Sequence, residues 1–115
     1  MANRSAADVH DVIAGAEYLA KHPAQAALLA VIVGYNRGGT TPTKAQVCAT
    51  VERGSKTSRL TLTRHYQLID VLIGEGMVDS TESVLGHALR CSDYGAASLN
   101  MLAQTATGTI VAGRG

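Results

Sequence analysis

With 115 residues, 46% of them apolar and 17% charged, the chain is sized for one small domain and is too apolar to be disordered throughout. A net charge of +1 argues neither for nor against a nucleic-acid partner. There is no Phe or Trp, so Leu, Ile, Val and Ala must build the core, and a small aliphatic core tends to be supplemented by oligomerisation.

The opening residues carry no apolar core with a cleavage-like site, so no secretory leader is expected. No run approaches the ~20 apolar residues that span a bilayer. Cys48 and Cys91 are too few for a disulfide framework, and reduced thiols in the cytoplasm are the default expectation.

In chain order, the first helix is expected over 6–21, because Val9, Val12, Ile13, Ala16, Leu19 and Ala20 form an apolar stripe at helical spacing. His22-Pro23 ends it, and Pro23 suits the first position of the next helix. That helix, over 24–35, is apolar nearly all round and should be central. Asn36-Arg37-Gly38-Gly39 closes it. Thr43 and Gln46 have capping-box spacing and predict a third helix over 43–53, ended by Gly54. A fourth helix over 59–75 should turn Leu62, Tyr66, Ile69, Leu72 and Ile73 inward and leave Thr63, Arg64 and Gln67 outside. A hairpin over 77–91 follows, with strands near Met77–Ser80 and His87–Cys91. Ser92 caps a last helix over 93–104, and 105–115 reads as a Gly-rich, mobile tail. The fold class is therefore mainly α with a small β-hairpin: a winged helix-turn-helix with an extra N-terminal and a C-terminal helix.

The charge is unevenly placed. Lys44, Arg53, Lys56, Arg59 and Arg64 lie between Thr43 and Gln67 and are opposed only by Glu52, which gives this segment +4 and the rest of the chain −3. Such a run suits an anionic partner. In a helix-turn-helix the second helix fits the major groove and its first turns reach base edges. Arg59, Thr61, Thr63, Arg64 and Gln67 are thus the candidate base readers: Arg suits guanine, Gln adenine, and a Thr methyl the thymine methyl. Thr43, Lys44, Arg53, Lys56 and Ser58 are the candidate phosphate contacts, which set register without reading sequence.

The run Leu68-Ile69-Asp70-Val71-Leu72-Ile73-Gly74-Glu75-Gly76-Met77-Val78 resembles the end of the recognition helix in winged-helix regulators of the multiple antibiotic resistance (MarR) type. Leu89-Arg90-Cys91-Ser92-Asp93-Tyr94-Gly95 is similar to that family's second wing strand and following helix, with Ser92 in place of Thr. The likeness spans roughly residues 24–104. It implies a DNA-binding homodimer joined through the first and last helices, acting as a transcriptional regulator, with a repressor expected. The chain departs from the family at the wing, where Asp79 and Glu82 stand in place of a basic tip. His65-Tyr66 also replaces an expected Val-Ser pair. The chain is shorter than typical members, so a small-molecule effector is not expected.

Other constellations offer less. The histidines His10, His22, His65 and His87 lack metal-ligand spacing, and no metal or cofactor is expected. Cys48 reads as a small buried hydrophobe rather than a redox sensor. Asp70 and Glu75 read as solvated carboxylates, Gly38–Lys44 lacks phosphate-loop spacing, and no catalytic constellation emerges, so a non-enzyme is expected. The alternative to DNA binding is a winged-helix protein-interaction module, which the acidic wing and near-neutral charge would suit.

Overall fold

The computed structural model describes residues 8–54, 62–83 and 86–114. Its described elements are helices α1 (Val9–Lys21), α2 (Pro23–Arg37), α3 (Lys44–Gly54), α4 (Leu62–Gly74) and α5 (Asp93–Arg114), with strands β1 (Val78–Ser83) and β2 (Gly86–Cys91) between α4 and α5. No described helix is long and apolar enough to cross a membrane.

Local chemistry sets most of the boundaries. Asp8 caps α1 by accepting the His10 amide at 2.9 Å, so the helix begins after Asp8 rather than at residue 6. Pro23 opens α2 as expected. The capping box at α3 is reciprocal: the Thr43 amide donates to Gln46 Oε1 at 2.8 Å, and the Gln46 amide donates to Thr43 Oγ1 at 3.2 Å. Helices α2 and α4 end alike. After α2 the Gly39 and Thr40 amides donate back to Asn36 and Tyr35, and after α4 the Gly76 and Met77 amides donate back to Ile73 and Leu72. These bonds need a left-handed residue at the bend, and Gly39 (φ +84°) and Gly76 (φ +78°) supply it.

The hairpin is antiparallel, with Val78 opposite Cys91 and Ser83 opposite Gly86. It is longer than expected: β1 continues through Thr81–Ser83, and only positions 84 and 85 separate the strands. Pairing adds ladder bonds for each residue recruited, so Thr81 and Glu82 join the strand instead of the loop. The Pro42 carbonyl accepts from the Leu89 amide at 2.8 Å and ties the α2–α3 connection to the sheet.

Ser92 joins the wing to α5. Its hydroxyl accepts the Gly95 amide at 3.0 Å and donates to the Gly76 carbonyl, while its own amide donates to the Met77 carbonyl at 3.0 Å. A Cβ on Gly95 would collide with that Met77 carbonyl, which is why the Ser-x-x-Gly spacing needs glycine at this place. Helix α5 runs to Arg114, beyond the expected end at Gln104. The small residues beyond Gln104 include no proline to stop a helix.

One core joins all layers, built from Leu19, Leu28, Leu29, Ile32, Val47, Ile69, Leu72, Met77 and Leu89 with their neighbours. Helix α1 lies along α5, where Gly15 faces Ser98 and Tyr94 too closely to admit a Cβ. The α1 stripe splits: Val12, Ala16 and Leu19 are buried, whereas Val9 and Ile13 are 56% and 40% exposed.

Candidate nucleic-acid interface

Helix α4 is seated by His65, Leu68, Ile69 and Leu72, all buried. Of the expected inward set, Ile69 and Leu72 are buried, and Tyr66 and Ile73 are half-buried and packed against the core. His65, outside the expected set, is buried beside them where α3 packs on α4. The His65 Nδ1 has no hydrogen-bond partner among the described residues and lies 3.9 Å from Glu52 Oε1 on α3.

Thr63, Arg64 and Gln67 face outward, with Asp70 beside them, and all four are exposed. They recur at i, i+1, i+4 and i+7 and form one stripe along the first turns. The Arg64 Nη1 reaches Gln67 Oε1 at 3.4 Å, a long contact that draws the two side chains to one patch. Arg59 and Thr61, the other candidate base readers, lie outside the described residues, as do Lys56 and Ser58.

The remaining phosphate candidates divide. Lys44 joins the α4 stripe directly, its Nζ 2.6 Å from Asp70 Oδ1. Asp70 is thus paired as well as exposed, which the expectation of a merely solvated carboxylate missed; the spacing of 26 residues hides such a pair from any local pattern. Thr43 is half-buried, with its hydroxyl and amide taken by the capping box. Arg53 stands nine residues after Lys44, roughly half a turn out of phase on a helix of 3.6 residues per turn. Its guanidinium donates to Thr50 Oγ1 at 3.3 Å, and Thr50 meets the Tyr35 hydroxyl of α2 at 2.8 Å. Lys44 and Arg53 therefore serve opposite flanks of α3.

The wing is acidic where it is described: Asp79 and Glu82 are exposed on β1, opposite Arg90 and His87 in the ladder. The two thiols are poor nucleophiles. Burial, reinforced by Glu52 and opposed by Lys44, pushes Cys48 up to about 11. Burial, with Asp79 and Asp93 adding to it, pushes Cys91 up to about 11 as well.

The element order and the two-stranded antiparallel hairpin make this a winged-helix-like fold. The crystal structure of SSV1 F-93 is similar to it, with a TM-score of 0.52 and 15% identity over 76% of this chain and 91% of that one. No family model matches the chain, and no curated protein matches it.

Proposed function

We propose that the protein is a sequence-specific binder of double-stranded DNA that works as a dimer and represses transcription by occupying an operator. The observation that carries the reading is the outward stripe of Thr63, Arg64 and Gln67 on the first turns of α4, with Lys44 on the same flank. A helix held from behind by His65, Leu68, Ile69 and Leu72 projects these groups together, as entry into a major groove requires. Arg64 and Gln67 would read base edges, while Lys44 and the first amides of α3 would meet phosphates.

Dimerisation is assigned to α1 and α5. Val9 and Ile13 leave an apolar edge on α1, and a groove of about 300 Å³ lined by Ile13, Ala16, Ala20, Met101 and Leu102, with Glu17 and Thr105 among them, runs between the two helices. A second copy covering it would set two recognition helices on half-sites about one DNA turn apart. The reading assigns no catalysis and no cofactor. The MarR-type resemblance of the α4 end and of Ser92–Gly95 agrees with a regulator of this kind.

Selection of bound fragments from a random duplex pool, with the Arg59/Arg64 double alanine variant as control, tests the proposal. Enrichment of one motif by the wild-type chain alone supports it. The exposed acids Asp79 and Glu82 favour a second reading, a protein-interaction module; in that case the chain would pass through a random-duplex column at low salt.

A further inference from the structure

A cleft of about 410 Å³ opens at the root of the wing, between the end of α2, the loop into α3, β2 and the start of α5. Val33, Arg37, Thr40, Thr41, Arg90 and Cys91 line it. Arg37 closes α2 and Arg90 projects from β2, 53 residues later in the chain, so only the folded chain brings them to one cavity. Neither guanidinium makes a hydrogen bond or ion pair among the described residues, although Asp79 stands opposite Arg90 in the ladder.

The walls are braced. The Asn36 amide group donates to the Thr40 carbonyl at 2.9 Å and to the Leu89 carbonyl at 3.2 Å, and its oxygen accepts from the Cys91 amide at 2.7 Å. One side chain thus locks helix, loop and strand around the opening. Asp79 and Asp93 lie near enough to act on the Cys91 sulfur, as does Arg37. What the cleft offers is two arginines without hydrogen-bond or ion-pair partners among the described residues, beside the exposed Thr40 and Thr41.

We infer that this cleft binds a small phosphomonoester. Such a group carries about −1.5 to −2 charge on three acceptor oxygens, which paired guanidiniums match with short, charge-assisted bonds. The threonine hydroxyls can add donors, and Val33 and Ala96 provide an apolar wall for the rest of the molecule. The volume lies within the range of roughly 300–1,000 Å³ that small-ligand sites occupy. Arg90 stands four residues from the Gly86 end of β2, about 13 Å along the strand, so the ligand sits at the wing's root. It would touch Gly39–Thr41, which lead into the Thr43 cap of α3. A change in duplex affinity on occupancy rests on the proposed DNA-binding function; the binding site itself does not.

Titration of the full chain with adenosine 5′-monophosphate, ribose 5-phosphate, inorganic phosphate and adenosine, followed by calorimetry and amide NMR shifts without DNA, tests it. Saturable binding of at least one phosphomonoester is expected, with shifts at Thr40, Thr41 and Cys91. Arg37→Gln or Arg90→Gln should weaken it by about tenfold or more, as loss of a charge-assisted contact does, whereas Arg64→Gln leaves it unchanged. Both arginines are exposed, so the variants retain the core. Absence of saturation for both esters, equal binding of adenosine, or shifts at Thr63–Gln67 instead overturns the inference. So does displacement of the ester by duplex with an equal loss of duplex affinity in Arg37→Gln, which would place the cleft on the DNA track. Ester binding by a chain that ignores DNA would leave this site standing and remove the proposed function alone.

Discussion

Asp70→Asn should tighten duplex binding while slightly weakening the fold. The Lys44–Asp70 pair is 2.6 Å long, which in bulk water corresponds to about 1.6 kcal/mol of Coulomb attraction. The Asp70 side chain is 61% exposed, so screening and side-chain entropy reduce the pair to about 0–1 kcal/mol of stability. For DNA the balance reverses. In the proposed complex the carboxylate lies on the stripe that would face the groove and holds a cation that would otherwise meet a phosphate. Each phosphate contact contributes about −0.9 to the slope of log K against log salt, which relative to 1 M amounts to at most about 15-fold at 50 mM and about fourfold at 200 mM. Asp70→Asn should therefore raise affinity for any duplex several-fold at low salt, with a steeper slope, and the gain should vanish in the Lys44→Gln/Asp70→Asn double variant. Fluorescence anisotropy of a labelled duplex across a salt series reads both quantities. Unchanged affinity and slope at 50 mM would refute the placing of Lys44 and Asp70 on the DNA face.

Arg64→Ala should flatten base preference at one operator position at a cost of about 1–3 kcal/mol, read by competition among single-substituted duplexes; an equal loss on every sequence makes Arg64 a phosphate contact instead. Gly95→Ala should destabilise the fold by about 1–3 kcal/mol, because the obstacle is the Met77 backbone carbonyl and not a movable side chain. The measured drop in Tm would be about 4–8 °C per kcal/mol, and an unchanged Tm would contradict the close approach. Ile13→Glu alters a residue already 40% exposed, so the monomer should fold normally while a dimer seen by sedimentation is lost. For Cys48 and Cys91 the folded state holds the thiol proton up to about pH 11 whereas the unfolded chain releases it near 9. Their protection of the protonated form adds no pH dependence below about 9; stability should then fall as pH rises from about 9 to 11, in denaturant midpoints that Cys48→Ala makes less pH-dependent.

Where the chain carries local chemistry, the sequence by itself determined the outcome. The Thr43–Gln46 box, Pro23 at the start of α2, the glycines that end α2 and α4, and Ser92 ahead of α5 each satisfy backbone groups within a few residues. Their result does not wait for the rest of the fold. The hydrophobic periods likewise gave five helices and a hairpin in the right order. Tertiary structure decided the phases and the distant pairs. Only α3 packing beside α4 put His65 into the interior, next to a Tyr66 that is half-buried against the same core. The same packing put Asp70 against Lys44, and the hairpin's fold-back brought Arg90 to the cleft that Arg37 also lines. No window of sequence contains both members of such pairs, because their proximity is a property of how the elements cross. The end of α5 was equally hidden: Gly-rich composition suggested a tail, yet α5 continues to Arg114 through a stretch that holds no proline.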